Sequence, residues 1–198
     1  MCFLFCRTPN LKRLILPFQG KLSKNAIDIA MKSWEGLESI TITAMVKPSH
    51  IFSAISKYYM TIYELKFTRD FGISEADLVV QYTPNLKLLS VRNIMVNLRG
   101  LCNILNSLEK LEVVNICHSF IWDRVEGVVK VYTVRDLRNH LSLSNLQKLM
   151  FCNRRRCLRC RNGNDPVRGP FGGFWGYLAW RWNQVSRALI LTIMFKDR

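Results

Sequence analysis

Thr83-Pro84-Asn85-Leu86-Lys87-Leu88-Leu89-Ser90-Val91 nearly repeats Thr8-Pro9-Asn10-Leu11-Lys12-Arg13-Leu14-Ile15-Leu16, seventy-five residues earlier. Self-similarity at a fixed interval marks a chain built by stacking one unit on the next. Seventy-five is three intervals of twenty-five, and the phrase Leu-x-x-Leu-x-Leu fills both gaps, as Leu37-Glu38-Ser39-Ile40-Thr41-Ile42 and Ile62-Tyr63-Glu64-Leu65-Lys66-Phe67. Leu111-Glu112-Val113-Val114-Asn115-Ile116 extends the series. The central apolar residues Leu14, Ile40, Leu65, Leu89 and Val114 stand 26, 25, 24 and 25 residues apart.

The end of each phrase alternates with the period of an extended strand, so Leu14 and Leu16 face one way while Arg13, Ile15 and Pro17 face the other. The segment after each phrase has helical spacing. Leu22, Ala26, Ile29, Ala30 and Trp34 form one stripe behind a candidate N-cap, Ser23, and Ile51–Tyr59 comes after Pro48 and Ser49. Ser74, with Asp77 three residues on, opens Ala76–Tyr82, and Leu98–Leu108 carries Leu101, Leu105 and Leu108 on one side. A strand and a helix in about 25 residues make the unit of a leucine-rich repeat, and neither half buries its apolar face alone, so the units must stack. The expected fold class is α/β, a leucine-rich-repeat solenoid with parallel strands on its concave face, helices on its convex face and an irregular basic tail.

Five parallel strands at a spacing of about 4.8 Å bring the alternate positions into a solvent-facing ladder. Its members are Arg13, Ile15 and Pro17; Ser39, Thr41 and Thr43; Glu64, Lys66 and Thr68; Leu88, Ser90 and Arg92; Val113, Asn115 and Cys117. This mixture of polar, charged and apolar side chains is the expected partner-binding surface for a protein; an ordinary solvated face has the same pattern.

Beyond Ile116 the period fails. The next phrase, Leu146-Gln147-Lys148-Leu149-Met150-Phe151, comes ten residues late, after the alternating β-branched run Val128–Val134. Leu137, Leu141 and Leu149 have helical spacing, so residues 125–151 are expected to close the array as a cap rather than a full sixth repeat. The domain plan is therefore about five repeats over 1–124, a capping segment over 125–151, and a poorly ordered, basic, Cys- and aromatic-containing tail over 152–198.

Charge supports that division. Residues 1–150 hold 19 Lys+Arg against 12 Asp+Glu, and residues 151–198 hold 10 against 2, so more than half of the formal charge of +15 lies in the last quarter. The opening apolar run before Arg7 is too short for a secretory signal, and Ala188–Phe195 is too short to span a bilayer. Seven cysteines, an odd number spread over apolar positions, fit reduced thiols and an intracellular location, cytoplasmic or nuclear.

Cys152, Cys157 and Cys160 have a spacing able to hold zinc if a fourth ligand such as His140 approaches, but a second Cys-x-x-Cys is missing and unliganded thiols in a basic loop are the simpler reading. The Arg154–Arg161 cluster with Trp175, Trp180 and Trp182 suits phosphates and bases, yet no recognised nucleic-acid module surrounds it, so solvated charge is preferred to nucleic-acid binding. No carboxylate, serine or histidine stands at catalytic spacing, and no enzyme and no cofactor are expected.

Arg7-Thr-Pro-Asn-Leu-Lys-Arg-Leu-Ile-Leu-Pro, Trp34-Glu-Gly-Leu-Glu-Ser-Ile-Thr, Glu64-Leu-Lys-Phe, Pro84-Asn-Leu-Lys-Leu-Leu-Ser-Val-Arg and Leu108-Glu-Lys-Leu-Glu-Val-Val-Asn-Ile-Cys-His together resemble the repeat region of plant F-box/LRR-repeat proteins, over roughly residues 7–124. The resemblance implies the substrate-recognition region of an SCF (cullin-RING) ubiquitin ligase, whose F-box docks on a Skp1-type adaptor while the repeats present a protein substrate. The sequence opens inside its first visible repeat, so adaptor docking is assigned to no residue and a chain lacking the F-box is expected. Cys157-Leu-Arg-Cys160 is similar to a Cys-x-x-Cys near the family's carboxyl end. Gly173-Phe-Trp-Gly-Tyr-Leu-Ala-Trp-Arg-Trp then replaces the acidic, Arg-Trp-Tyr-Lys-Tyr-Glu-Glu-type phrase, as a frame-altered end would. The alternatives are a nucleic-acid-binding protein acting through the Arg-rich tail and a non-functional gene fragment.

Overall fold

The computed structural model describes residues 11–16, 23–34, 36–43, 47–58, 62–133, 136–137 and 146–152. All of them except Cys152 fall in one compact unit. In chain order its elements are β1 (Arg13–Ile15), α1 (Lys24–Lys32), β2 (Ser39–Ile42), α2 (Pro48–Tyr58), β3 (Glu64–Phe67), α3 (Ile73–Tyr82) and β4 (Leu88–Ser90). There follow β5 (Met95–Asn97), α4 (Leu98–Ser107), β6 (Val113–Asn115), β7 (Phe120–Val125), β8 (Val128–Tyr132) and β9 (Lys148–Met150).

The repeated phrase makes the main sheet, which is parallel throughout, in the order β1-β2-β3-β4-β6-β9. Leu14 pairs with Ile40, Ile40 with Leu65, Leu65 with Leu89 and Leu89 with Val114, so the five residues spaced along the sequence form one file. Ile40, Leu65, Leu89 and Val114 are completely buried in a single core with the inner faces of the helices. Burying each such side chain contributes about 1.5–3 kcal/mol, and a slip of one residue would turn the whole file outward, so the core fixes the register.

The helices pack in sequence order, α1 on α2, α2 on α3 and α3 on α4. Ser23 caps α1, its hydroxyl accepting from the Ala26 N–H at 3.2 Å. Ile27, Ala30, Met31 and Trp34 are its buried face, while Ile29, expected in the stripe, is exposed. The i, i+3, i+4, i+7 series starts at Ile27 and not at Ala26, which turns Ile29 to the far side. α2 opens on Pro48, whose fixed φ suits a first helical turn. α3 begins earlier than the Ser74/Asp77 pattern predicts. Gly72 is its N-cap, and the Gly72 N–H donates to the Glu75 carboxylate at 3.0 Å, so Glu75 supplies the acidic half of the cap. In α4, capped by Asn97 through the Gly100 N–H at 3.1 Å, Ile104 joins Leu101 and Leu108 in full burial and Leu105 lies at the margin.

A second, three-stranded sheet, β5-β7-β8, is built from segments that follow the main strands β4 and β6 in the chain. Phe71 bridges Val96, and Val96 pairs with Ile121, each step 25 residues and all three buried. In the third and fourth units the chain therefore makes a short extended contact between main strand and helix, at Phe71 and in β5, and in the fifth the same position is taken by β7, which runs on into β8. The turns into it repeat as well: Asn93 (φ 61°) and His118 (φ 64°), also 25 apart, take the left-handed conformation, which Asn and His tolerate better than most residues.

Residues 125–151 depart from the expected cap. β8 returns antiparallel on β7, and β9 joins the main sheet with Leu149 opposite Val114. Leu149 is thus on a strand and not on a helix with Leu137; Leu141 lies outside the described residues. The open edge of β6 selects a strand phrase over a helical spacing, and the ten extra residues before it do not disturb the register.

Candidate protein-recognition face

The side of the main sheet turned away from the helices carries two complete rows. Arg13, Ser39, Glu64, Leu88, Val113 and Lys148 are successive partners in one, and Ile15, Thr41, Lys66, Ser90, Asn115 and Met150 in the other. The structure thus brings the predicted positions of five strands side by side, and β9 adds Lys148 and Met150, which the expectation of a cap leaves out. Thr43, Thr68 and Arg92 lie two residues beyond the second row, and the Thr68 N–H donates to the Ile42 carbonyl at 3.0 Å. Cys117 is half-buried just past β6. Pro17, and the zinc candidates Cys157, Cys160 and His140, lie outside the described residues, whereas Cys152 is half-buried.

Exposure along the rows is uneven. Arg13, Ile15, Thr68, Arg92 and Lys148 are exposed, and Thr41, Lys66, Leu88, Ser90, Val113 and Asn115 are half-buried. Ser39, Thr43 and Glu64, expected to face solvent, are only 3%, 5% and 8% exposed. Glu64 lies low in the sheet and accepts from Lys66 Nζ at 2.9 Å. Burial pushes its carboxyl up, but hydrogen bonds from Ser39 and Lys66, with Arg13 nearby, outweigh that and hold it below the ordinary value. The face therefore keeps one neutralised acid among four cations, Arg13, Lys66, Arg92 and Lys148.

The entries to β1, β2, β3, β4 and β6 are braced by contacts one repeat long. Lys12 donates to Glu38, Tyr63 Oη donates to Glu38 at 2.7 Å, Lys87 meets Glu112 at 3.2 Å and Lys110 donates to Asn85 Oδ1 at 2.6 Å. Lys12 and Tyr63 together hold the Glu38 carboxyl below its usual range. On β7 of the second sheet, Asp123 accepts from Arg99 Nε at 2.9 Å and from the Arg124 N–H at 2.8 Å. Burial raises its carboxyl, and these donors more than reverse the shift. Sequence motifs alone miss these braces; their signal is opposite charges and amides about 25 residues apart.

No helix among the described residues is long and apolar enough to cross a membrane. No protein-family model matches the chain. F-box/LRR-repeat protein At3g48880 of Arabidopsis thaliana is 31% identical over 168 residues, which is 80% of this chain and 53% of that protein. The chain thus spans about half the length of that curated relative. Among solved structures, the tropomodulin C-terminal domain of Caenorhabditis elegans aligns at a TM-score of 0.44 and 12% identity, over 83% of this chain and 96% of its own. TLR13, in a complex with ssRNA13, aligns at 0.42 and 13%, over 74% of this chain and 20% of its own. Both likenesses are distant, and the architecture rests on the strand register itself. This chain folds as a leucine-rich-repeat solenoid and is similar over most of its length to an F-box/LRR-repeat protein.

Proposed function

We propose that the chain is a non-catalytic protein-binding module whose strand face, from Arg13 through Met150, holds a protein partner. The observation that carries this reading is the register: six strands present their outward side chains in two unbroken rows, and the neutralisation of Glu64 leaves those rows net basic. Such a surface favours a partner with an acidic, partly apolar patch. The contact set is Arg13, Ile15, Thr41, Lys66, Thr68, Leu88, Ser90, Arg92, Val113 and Asn115, with Ser39, Thr43 and Glu64 acting beneath them. Similarity to an F-box/LRR-repeat protein supports the finer reading, in which the partner is a substrate presented to an SCF-type ubiquitin ligase through a Skp1-type adaptor.

A photo-cross-linking residue at Thr41, Ser90 or Met150 should trap the same partner in native cells, whereas one at Ser53 or Asn106, exposed on α2 and α4, should not. Adducts formed only from the helix positions would overturn the assignment of the face. The finer reading requires that ubiquitylation of the trapped partner fall when Lys66 and Arg92 are replaced by Ala; unchanged ubiquitylation rejects it while leaving the binding module intact.

A further inference from the structure

Val128-Val129-Lys130-Val131-Tyr132 has the composition of a buried strand, but Val128, Val129 and Val131 are 69%, 51% and 47% exposed. The strand ends the order β5-β7-β8 and, among the described residues, pairs on one side only. Glu126 (φ 52°) and Gly127 (φ 82°) form the two-residue turn from β7, with both central residues left-handed as a type I′ turn requires. In such a hairpin Val125 and Val128, which flank the turn, exchange hydrogen bonds, and bonded pairs then alternate with unbonded ones. Lys130 and Tyr132 therefore bond to β7, and the N–H and C=O groups of Val129 and Val131 point away from it, along an edge whose side chains are open to solvent.

The charge on that edge selects what can add to it. In an antiparallel pairing of two copies through Val129 and Val131, Lys130 of one copy stands directly opposite Lys130 of the other, and like charges in that position destabilise a sheet. A lysine on an edge strand is a recognised guard against such pairing. Asp123, across from Lys130 on β7, is already held by Arg99, while Lys130 Nζ lies over the Tyr132 ring at 5.2 Å. Exposed Arg124, opposite Val129, adds a second positive charge beside the edge. We propose that the outer edge of β8 is a second protein-binding site, which takes up as an added antiparallel strand an extended partner segment carrying a carboxylate between two β-branched apolar residues. The carboxylate meets Lys130, the flanking residues lie beside Val129 and Val131, and the backbone of those two valines supplies the hydrogen bonds. This site is separate from the rows of the main sheet and does not depend on what those rows hold.

The test is fluorescence anisotropy of a labelled, end-capped Thr-Ile-Glu-Val-Thr peptide with the full chain. It should bind about two- to five-fold more tightly than the same peptide with Gln for Glu. Val131→Pro removes an outward N–H at a place where an edge strand tolerates proline, and should weaken binding about five- to ten-fold. N-methylation of the peptide amides that face β8 should do the same on the unaltered protein, which separates loss of binding from loss of folding. Lys130→Glu should transfer the preference to a peptide with Lys at its centre. No binding at millimolar peptide, equal binding of the Glu and Gln peptides, or binding that survives both Val131→Pro and N-methylation overturns the proposal. So does self-association in sedimentation that Val131→Pro abolishes while the acidic peptide fails to bind, because the occupant is then a second copy.

Discussion

Leu88 and Leu89 are neighbours in β4, and the same substitution at each reads out which face of the strand the core occupies. Leu89 is 0% exposed, between Leu65 on β3 and Val114 on β6, with helices beneath; Leu88 is half-buried on the opposite face, between Glu64 and Val113. Leu→Ala removes the same carbons at both. At Leu89 the loss combines the transfer free energy with a sealed cavity, and about 3 kcal/mol is expected. At Leu88 solvent reaches the vacated space and part of the transfer term is lost, about 1 kcal/mol. The difference of about 2 kcal/mol is roughly a thirty-fold change in the ratio of folded to unfolded chain. Urea unfolding of the full chain, followed by far-ultraviolet circular dichroism, should show the larger fall in midpoint for Leu89→Ala at an unchanged slope. Stacked units couple to their nearest neighbours, so Leu14→Ala, in the partly buried first strand, should fall between the two. Equal losses at Leu88 and Leu89, or a greater loss at Leu88, would refute the alternation and with it the rows of the proposed face.

Gly100→Ala should lower the melting temperature in calorimetry although alanine favours helix by about 1 kcal/mol, because a Cβ there would stand 2.9 Å from the Gly72 carbonyl oxygen and 3.3 Å from Ala76 Cβ; overpacking of this kind costs about 1–3 kcal/mol. Asp123→Asn should cost about 1–2 kcal/mol at neutral pH through the weakened Arg99 contact. The folded Asp123 carboxyl is held below its ordinary value, so its contribution is complete above the unfolded value of about 3.9 and disappears as pH falls through the lower folded value. Urea midpoints below about pH 4 should therefore fall less steeply in the Asp123→Asn variant than in the parent. Asn93→Val, at φ 61°, should cost about 1–2 kcal/mol in thermal melts while Asn93→Gly costs nothing, and His118→Val should repeat the loss one unit later.

The main ladder is legible in the sequence because each strand phrase buries several residues at period two, so Leu65 and Phe67 advertise the strand as well as its spacing. The second ladder has the same period and escapes notice because each unit contributes one buried apolar strand residue, Phe71, Val96 or Ile121, and the other buried positions, Asn97 and Asp123, are polar, so no apolar alternation can be read. The hairpin from β7 to β8 is hidden for a related reason: Glu126-Gly127 lacks the Asn-Gly or Asp-Gly pair that usually signals such a turn, and only the run after it stands out. Setting the repeats in columns reveals more, because the polar braces follow the period too, from Lys12 to Glu38, Asn85 to Lys110 and Asp77 to Asn103. Depth on the recognition face is the part that alternation along one strand does not encode. Ser39 and Glu64 point to the outward side as expected, yet they are covered, since in a stacked array the cover over a side chain comes from the units before and after it. Arg13 stands upstream of Glu64 and Ser39 beside it, while Lys66 folds back to it from the next position on its own strand. A residue's access to a partner on such a face is therefore set by the length and charge of its neighbours in the row, and replacing Arg13 or Lys66 should change what Glu64 presents without touching Glu64 itself.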